Sequence, residues 1–268
     1  MDNLMTVSIV SMVGLTVAFA AVLAFADKKL RVEEDPMVGK VLECLPHVNC
    51  GACGCLSCHD YAEKIVNEDA DPTKCPVMGE EAREQLYSLL GADGGEKYPL
   101  LPLVRCAAGC DNKRPLAEYR GIQTCTAANL AFGAGMECQY GCIGLGDCVN
   151  VCPFGALYME DGLPRLDQEQ CTGCGQCAKA CPRKIIDLQE KRNEKLFYVA
   201  CNTHDGPVRV RQICGVGCIG CGICQKLSTE GFFKVEDNLS REDLSKQGKQ
   251  EEVRALAGKC PTKVIKEL

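Results

Sequence analysis

The run Cys171-x2-Cys174-x2-Cys177-x3-Cys181-Pro182 places four thiols at spacings that suit ligation of an iron–sulfur cluster. Three close neighbours can point inward from one tight loop, and the fourth, fixed by the proline behind it, is carried away to a second centre. An imperfect partner run lies upstream: Cys142, then Leu145 where a thiol is expected, then Cys148 and Cys152-Pro153. The exchange rule for paired runs groups Cys152 with Cys171, Cys174 and Cys177. It leaves Cys142, Cys148 and Cys181 one thiolate short. Cys138 is the nearest cysteine that could complete them; a three-iron cluster or a non-cysteine ligand stays open.

Two further sets follow. Cys50, Cys53, Cys58 and Cys75 are spaced C-x2-C-x4-C-x16-C, with Pro76 after the last and Gly51 and Gly54 allowing a tight wrap. Cys218-x2-Cys221-x2-Cys224 has Ser228 at the fourth position, and a lone Cys260-Pro261 follows near the C-terminus. The exchange rule pairs Cys260 with Cys218, Cys221 and Cys224, with Cys214 as the rival fourth ligand. A fifth set would draw on Cys106, Cys110 and Cys125, with its fourth thiol from Cys138, Cys201 or Cys214; vestigial thiols are the alternative there. An internal repeat supports duplication. Gly-Cys-Ile-Gly occurs at 141–144 and at 217–220, and Cys125, Cys138 and Cys142 share their offsets with Cys201, Cys214 and Cys218. Cys44 and Cys55 read as ordinary buried thiols.

Two motifs point elsewhere and are set aside. Cys55-Leu-Ser-Cys58-His59 is a literal CxxCH haem-attachment string, but it would take Cys58 from its set and needs the opposite side of the membrane. Gly215-Val-Gly217-Cys-Ile-Gly220 matches GxGxxG inside a cysteine loop, with no βαβ pattern around it. No nucleophile triad or carboxylate pair is evident. His47, His59 and His204 read as solvated or structural, so no catalytic residue is assigned.

The elements that must hold these thiols follow from composition. The chain has 268 residues, 23 of them cysteine, no tryptophan and only 5% aromatics, so its order must come partly from bound metal or disulfides. The odd cysteine count and the CxxC and Cys-Pro spacings favour iron–sulfur ligation over zinc ribbons or a disulfide scaffold. Thirty Lys and Arg against 36 Asp and Glu give a net charge of −6, which argues against nucleic acid as a partner. Leu4 to Ala26 carries no charge and would span about 35 Å as a helix, enough to cross a bilayer. Only Asp2 precedes it, while Lys28, Lys29 and Arg31 follow, so the positive-inside rule puts the cysteine domains in the cytoplasm. A cleaved signal peptide would want a basic start.

The expected organisation is an α+β chain. A transmembrane anchor (1–26) and a charged linker (27–36) precede a small, mostly helical four-cysteine domain (37–90). A Gly/Pro-rich linker (91–103) then leads to a ferredoxin-like dicluster domain (104–200) and a degenerate ferredoxin-like domain with one cluster (201–268). Short helices are expected at Met37–Glu43, Cys58–Val66, Gly79–Leu90 and Glu251–Gly258. Strands are expected at Ala156–Met159, Ile185–Leu188, Phe197–Ala200 and Phe232–Val235.

The anchor, the Asn49-Cys50-Gly51-Ala52-Cys53-Gly54 stretch, the C-x2-C-x4-C-x16-C set and the tandem ferredoxin runs, in this order, resemble the B subunit of the Rnf complex. The likeness spans nearly the whole chain, and Leu145 departs from the usual ferredoxin pattern. The resemblance implies a membrane complex that couples ferredoxin oxidation and NAD reduction to pumping of Na+ or H+. Its B subunit would accept electrons from ferredoxin and pass them to other membrane and peripheral subunits; the cysteine sets above provide for four 4Fe–4S clusters, or five where Cys106, Cys110 and Cys125 hold one. A polyferredoxin subunit of another membrane reductase, such as the related complex that reduces a redox regulator, is the second reading. A zinc-binding assembly or regulatory protein is the third.

Overall fold

A computed structural model describes residues 2–30, 35–91, 98–192, 195–228, 231–246 and 250–268. The first helix, α1 (Asp2–Leu30), is unbroken and long and apolar enough to cross a membrane. Its large side chains, Val10, Met12, Leu23 and Phe25 among them, are exposed, an apolar surface that only lipid or another protein would cover. The helix runs past Ala26 to Leu30, so the first part of the expected linker is helical. Residues 31–34 of that linker lie outside the described residues.

The four-cysteine module is helical, as its 3.6-residue periodicity implies. Helix α2 (Pro36–Glu43) starts on Asp35, whose side chain accepts the Met37 N–H, with Pro36 at the first helical position. Helix α3 (Cys58–Val66) is capped by Ser57, which accepts the Asp60 N–H, and α4 (Glu80–Leu90) ends on Gly91 in the left-handed region. Val41, Tyr61, Ala62 and Leu86 are buried between them, packed with Cys55 and Cys75.

Two ferredoxin-like units follow, and their topologies match. The first opens with β1 (Leu100–Val104). After α5 (Cys125–Leu130) and α6 (Asp147–Asn150) come the hairpin strands β2 (Leu157–Glu160) and β3 (Leu163–Leu166), then α7 (Gln176–Ala180) and β4 (Ile186–Glu190). β1 pairs antiparallel with β4, Pro102 opposite Leu188. The second unit opens with β5 (Phe197–Val199), followed by α8 (Pro207–Ile213), α9 (Ile223–Leu227) and the hairpin β6 (Phe233–Glu236) and β7 (Leu239–Glu242). It closes with α10 (Gln250–Lys259) and β8 (Ile265–Glu267), and β5 pairs antiparallel with β8.

Two strands begin on the N-terminal side of the domain boundaries expected from sequence. Leu100–Val104 is a strand rather than the end of a linker, and its proline is tolerated because β1 lies at the edge of a two-stranded sheet. Residues 92–97 of that linker lie outside the described residues. The second unit begins at β5, ahead of Cys201, because Phe197–Val199 hydrogen-bonds to the last strand of the chain.

The units are joined by more than their linker. Leu103 packs with Leu196, Tyr198 and Ala200. Beside them Arg105, 5% exposed, reaches Asp187 at 2.7 Å in its own unit and Glu242 and the Val199 carbonyl oxygen in the other. Glu242 also accepts the Val199 N–H at 2.9 Å.

Candidate metal centres

Three loops of one shape carry the densest thiols. In each, two glycines separated by one residue lie between the first and last cysteine, at 144 and 146, 173 and 175, and 220 and 222, all with positive φ. The second glycine of each pair is the left-handed residue before a short helix, so α6, α7 and α9 begin in the same way and carry Cys148, Cys177 and Cys224. The first cannot be replaced: a Cβ at Gly173 would lie 2.5 Å from the Leu100 carbonyl oxygen, and one at Gly220 would lie 2.6 Å from that of Asn238. Leu145 thus occupies the loop position that Cys174 and Cys221 fill elsewhere.

Each loop borders a thiol-lined cavity. Cys152, Cys171, Cys174 and Cys177 line one of about 330 Å³. Cys218, Cys221, Cys224 and Cys260 line another of about 410 Å³. The third, about 390 Å³, is lined by Cys142, Cys148, Cys181 and Cys125. The structure therefore brings Cys125, not Cys138, to the incomplete set. Asp147 holds it there by accepting the N–H groups of Cys125 at 2.8 Å and Thr126 at 3.0 Å, at the N-terminus of α5. The spacing rule looked for a ligand near Cys142. The thiol that the fold brings there comes from a helix before the run, and the Asp147 contacts tie it to the loop.

Cys138 lines a different cavity, of about 540 Å³, with Cys106, Cys201, Cys214 and Cys142, the last shared with the cavity of the first loop. Cys110 is exposed and does not line it, its N–H bonded to Asp161. The proposed grouping of Cys110 and Cys125 with Cys106 is thus replaced. The repeat is also realigned. Cys106 and Cys201 each stand two residues after the opening strand of their unit, and Cys138 and Cys214 each stand four residues before the first loop cysteine. Cys125 belongs to an insertion in the first unit.

In the N-terminal module, Asn49 accepts the Cys58 N–H at 2.7 Å, and the Val77 and Met78 N–H groups point at the Cys75 sulfur, which has Cys50 and Cys53 as neighbours. Cys55 is buried, with the Lys64 ammonium 3.9 Å from its sulfur. The Cys44 thiol donates to the Lys40 carbonyl oxygen.

The surroundings disfavour isolated thiolates. Burial pushes the thiols of Cys142, Cys148 and Cys201 up to about 12, and that of Cys177 to about 11. A bound cation would stabilise them as thiolates. Among the described residues no three Cys, His, Asp or Glu side chains close around a single ion. A tetrahedral zinc site, with Zn–S near 2.3 Å, would draw its sulfurs to within about 4 Å of one another. Four thiols lining one cavity can take the larger iron–sulfur core.

Comparisons with known proteins agree with this chemistry. A family model for an Fe–S cluster matches residues 45–77, and one for a 4Fe-4S dicluster domain matches residues 138–186. The chain is 36% identical to the B subunit of the ion-translocating oxidoreductase complex of Methanosarcina acetivorans, over 99% of both chains. It is 39% identical to the B subunit of the proton-translocating ferredoxin:NAD(+) oxidoreductase complex of Clostridium ljungdahlii, over 98% of this chain and 92% of that one. It is also 36% identical to the B subunit of the Na(+)-translocating ferredoxin:NAD(+) oxidoreductase complex of Acetobacterium woodii, over 98% of this chain and 77% of that one. With identity of this level along essentially its whole length, the chain belongs to the family of B subunits of ion-translocating oxidoreductase (Rnf) complexes.

Proposed function

We propose that this chain is the membrane-anchored electron relay of an ion-translocating ferredoxin:NAD+ oxidoreductase complex, taking electrons from reduced ferredoxin and passing them to partner subunits. The observation that carries this reading is the succession of thiol-lined cavities along adjoining domains. The residues that would hold 4Fe–4S clusters are Cys50, Cys53, Cys58 and Cys75; Cys152, Cys171, Cys174 and Cys177; Cys125, Cys142, Cys148 and Cys181; and Cys218, Cys221, Cys224 and Cys260. A bound cluster supplies one-electron transfer with little rearrangement of its ligands.

The chain's own part is to fix spacing and environment. The glycine loops bring backbone close to the thiols, burial excludes water, and cationic groups such as Arg183 and Lys113 sit beside the Cys138–Cys142 segment. Hydride chemistry with NAD would fall to a partner in the complex. Lys28 and Lys29 at the end of α1 support a cytoplasmic placement of the cluster domains.

Anaerobic iron, sulfide and zinc analysis of the purified chain tests the reading. Brown protein with acid-labile sulfide and broad absorbance near 400 nm is expected; colourless protein with zinc would overturn it. Protease added to sealed inverted vesicles should digest the cysteine domains, and protection there would overturn the cytoplasmic side.

A further inference from the structure

We propose a fifth 4Fe–4S cluster at the junction of the two ferredoxin-like units, held by Cys106 and Cys138 from the first and by Cys201 and Cys214 from the second. The proposal rests on the relay reading and extends it. The four thiols line one cavity of about 540 Å³ with Cys142, which also lines the cavity of Cys125, Cys148 and Cys181, and none is in a disulfide. They come from equivalent positions: each unit gives the cysteine two residues after its opening strand and the cysteine four residues before its first cluster loop. A duplicated fold that presents the same two thiols from each copy builds a four-thiol site at the junction.

The other sets remain complete without these four. Cys125 stands with Cys142, Cys148 and Cys181, and Cys260 with Cys218, Cys221 and Cys224. The wall of the junction cavity includes Arg105, Lys113 and Arg114, cations suited to the negative charge of four thiolates. The junction is rigid, because Arg105 is held by carboxylates from both units.

The site also adjoins both neighbours. A Cβ at Gly141 would lie 3.3 Å from the Cys138 sulfur and 3.6 Å from that of Cys106, and Gly141 directly precedes Cys142 of the first unit. The Cys201 sulfur accepts the N–H of Cys218, a ligand candidate of the second unit, at 3.3 Å.

The test is an iron, sulfide and EPR spin count on the full chain, purified anaerobically, with Cys106→Ser, Cys138→Ser, Cys201→Ser, Cys214→Ser and Cys110→Ser variants. About 20 irons are expected for the unaltered chain, counting four per cubane. Each of the four junction variants should lose about four irons or show a three-iron signal in the oxidised state, while the remaining signals persist. Cys110→Ser should match the unaltered chain. About 16 irons with junction variants unchanged would overturn the fifth cluster and leave the relay reading standing. Loss of iron in Cys110→Ser but not in Cys201→Ser would overturn this ligand set. Fewer than about ten irons would overturn both. Should a variant fail to fold, the spin count of the fully reduced unaltered chain decides between five clusters and four.

Discussion

The Lys179 ammonium donates to the Gly51 carbonyl oxygen at 3.0 Å, and beside it the Gln176 side-chain amide donates to the carbonyl of Cys50. Both donors lie on α7, the helix that carries Cys177, and both acceptors lie in the loop that carries Cys50 and Cys53. Two polar contacts thus seat the N-terminal module against the dicluster unit at the point where their thiol sets approach.

A Gln176→Ala, Lys179→Ala double variant should loosen this seat without disturbing either set. The contacts are exposed or half-buried and are worth about 1 kcal/mol each. Iron content should be unchanged, while the magnetic interaction between the two reduced clusters, read from EPR line broadening, should weaken. Unchanged broadening would mean that other contacts set the distance.

Ligand assignment gives a sharper contrast. Cys125→Ser should remove or convert the centre shared with Cys142, Cys148 and Cys181, and Cys260→Ala should do the same to the centre of Cys218, Cys221 and Cys224. Cys214→Ala should leave the latter intact. The reverse pattern in EPR and iron counts would contradict the cavity linings.

Arg105 is expected to control the junction mechanically. It is buried, and Glu242, whose side chain is fully buried, is one of its two carboxylate partners. Glu242→Ala should destabilise the cluster-loaded chain by about 3 kcal/mol, the cost of leaving a buried charge short of a partner. The midpoint of urea unfolding reads this directly. Arg105→Met combined with Glu242→Leu should recover much of the loss.

Arg183 combines structure and electrostatics. It donates to the carbonyl oxygens of Cys138 at 2.9 Å, Gly141 at 2.6 Å and Gly133 at 3.1 Å, so it folds the loop between two candidate centres while placing a positive charge beside them. Burial pulls its pKa down, but the nearby thiols push the other way. Arg183→Met should lower the potential of the nearest cluster, because a positive charge favours the reduced form. A unit charge about 10 Å away at an effective dielectric constant near 20 is worth about 1.7 kcal/mol, roughly 70 mV for one electron. A potentiometric EPR titration checks the sign; Arg183→Lys should keep most of the potential while weakening the loop.

The grouping of cysteines around common cavities was legible in the sequence because their geometry is local. Cys171, Cys174 and Cys177 sit within one loop, and the Cys-Pro exchange rule brings in Cys152; the same rule joined Cys260 to a loop far upstream. Helix α3 also ran as its pattern implied, and each expected strand lies within two residues of its place at either end. What escaped was non-local. The place of Cys125 is set by Asp147, at the start of the next helix, and has no spacing signature. The true counterpart of Cys201 is Cys106, hidden because an insertion stretches the first unit while Cys125 happens to share the expected offsets. Leu100–Val104 was obscured by Pro102 and the glycines before it, since only pairing with β4 makes it a strand.

The central claim is that this chain accepts electrons from ferredoxin into its own thiol-held centres. Anaerobic mixing of the purified full chain with a one-electron-reduced, low-potential ferredoxin tests it most directly. The account predicts bleaching near 400 nm beyond the ferredoxin's own change, together with new EPR signals from the chain. A chain that dithionite reduces but ferredoxin leaves oxidised would contradict it.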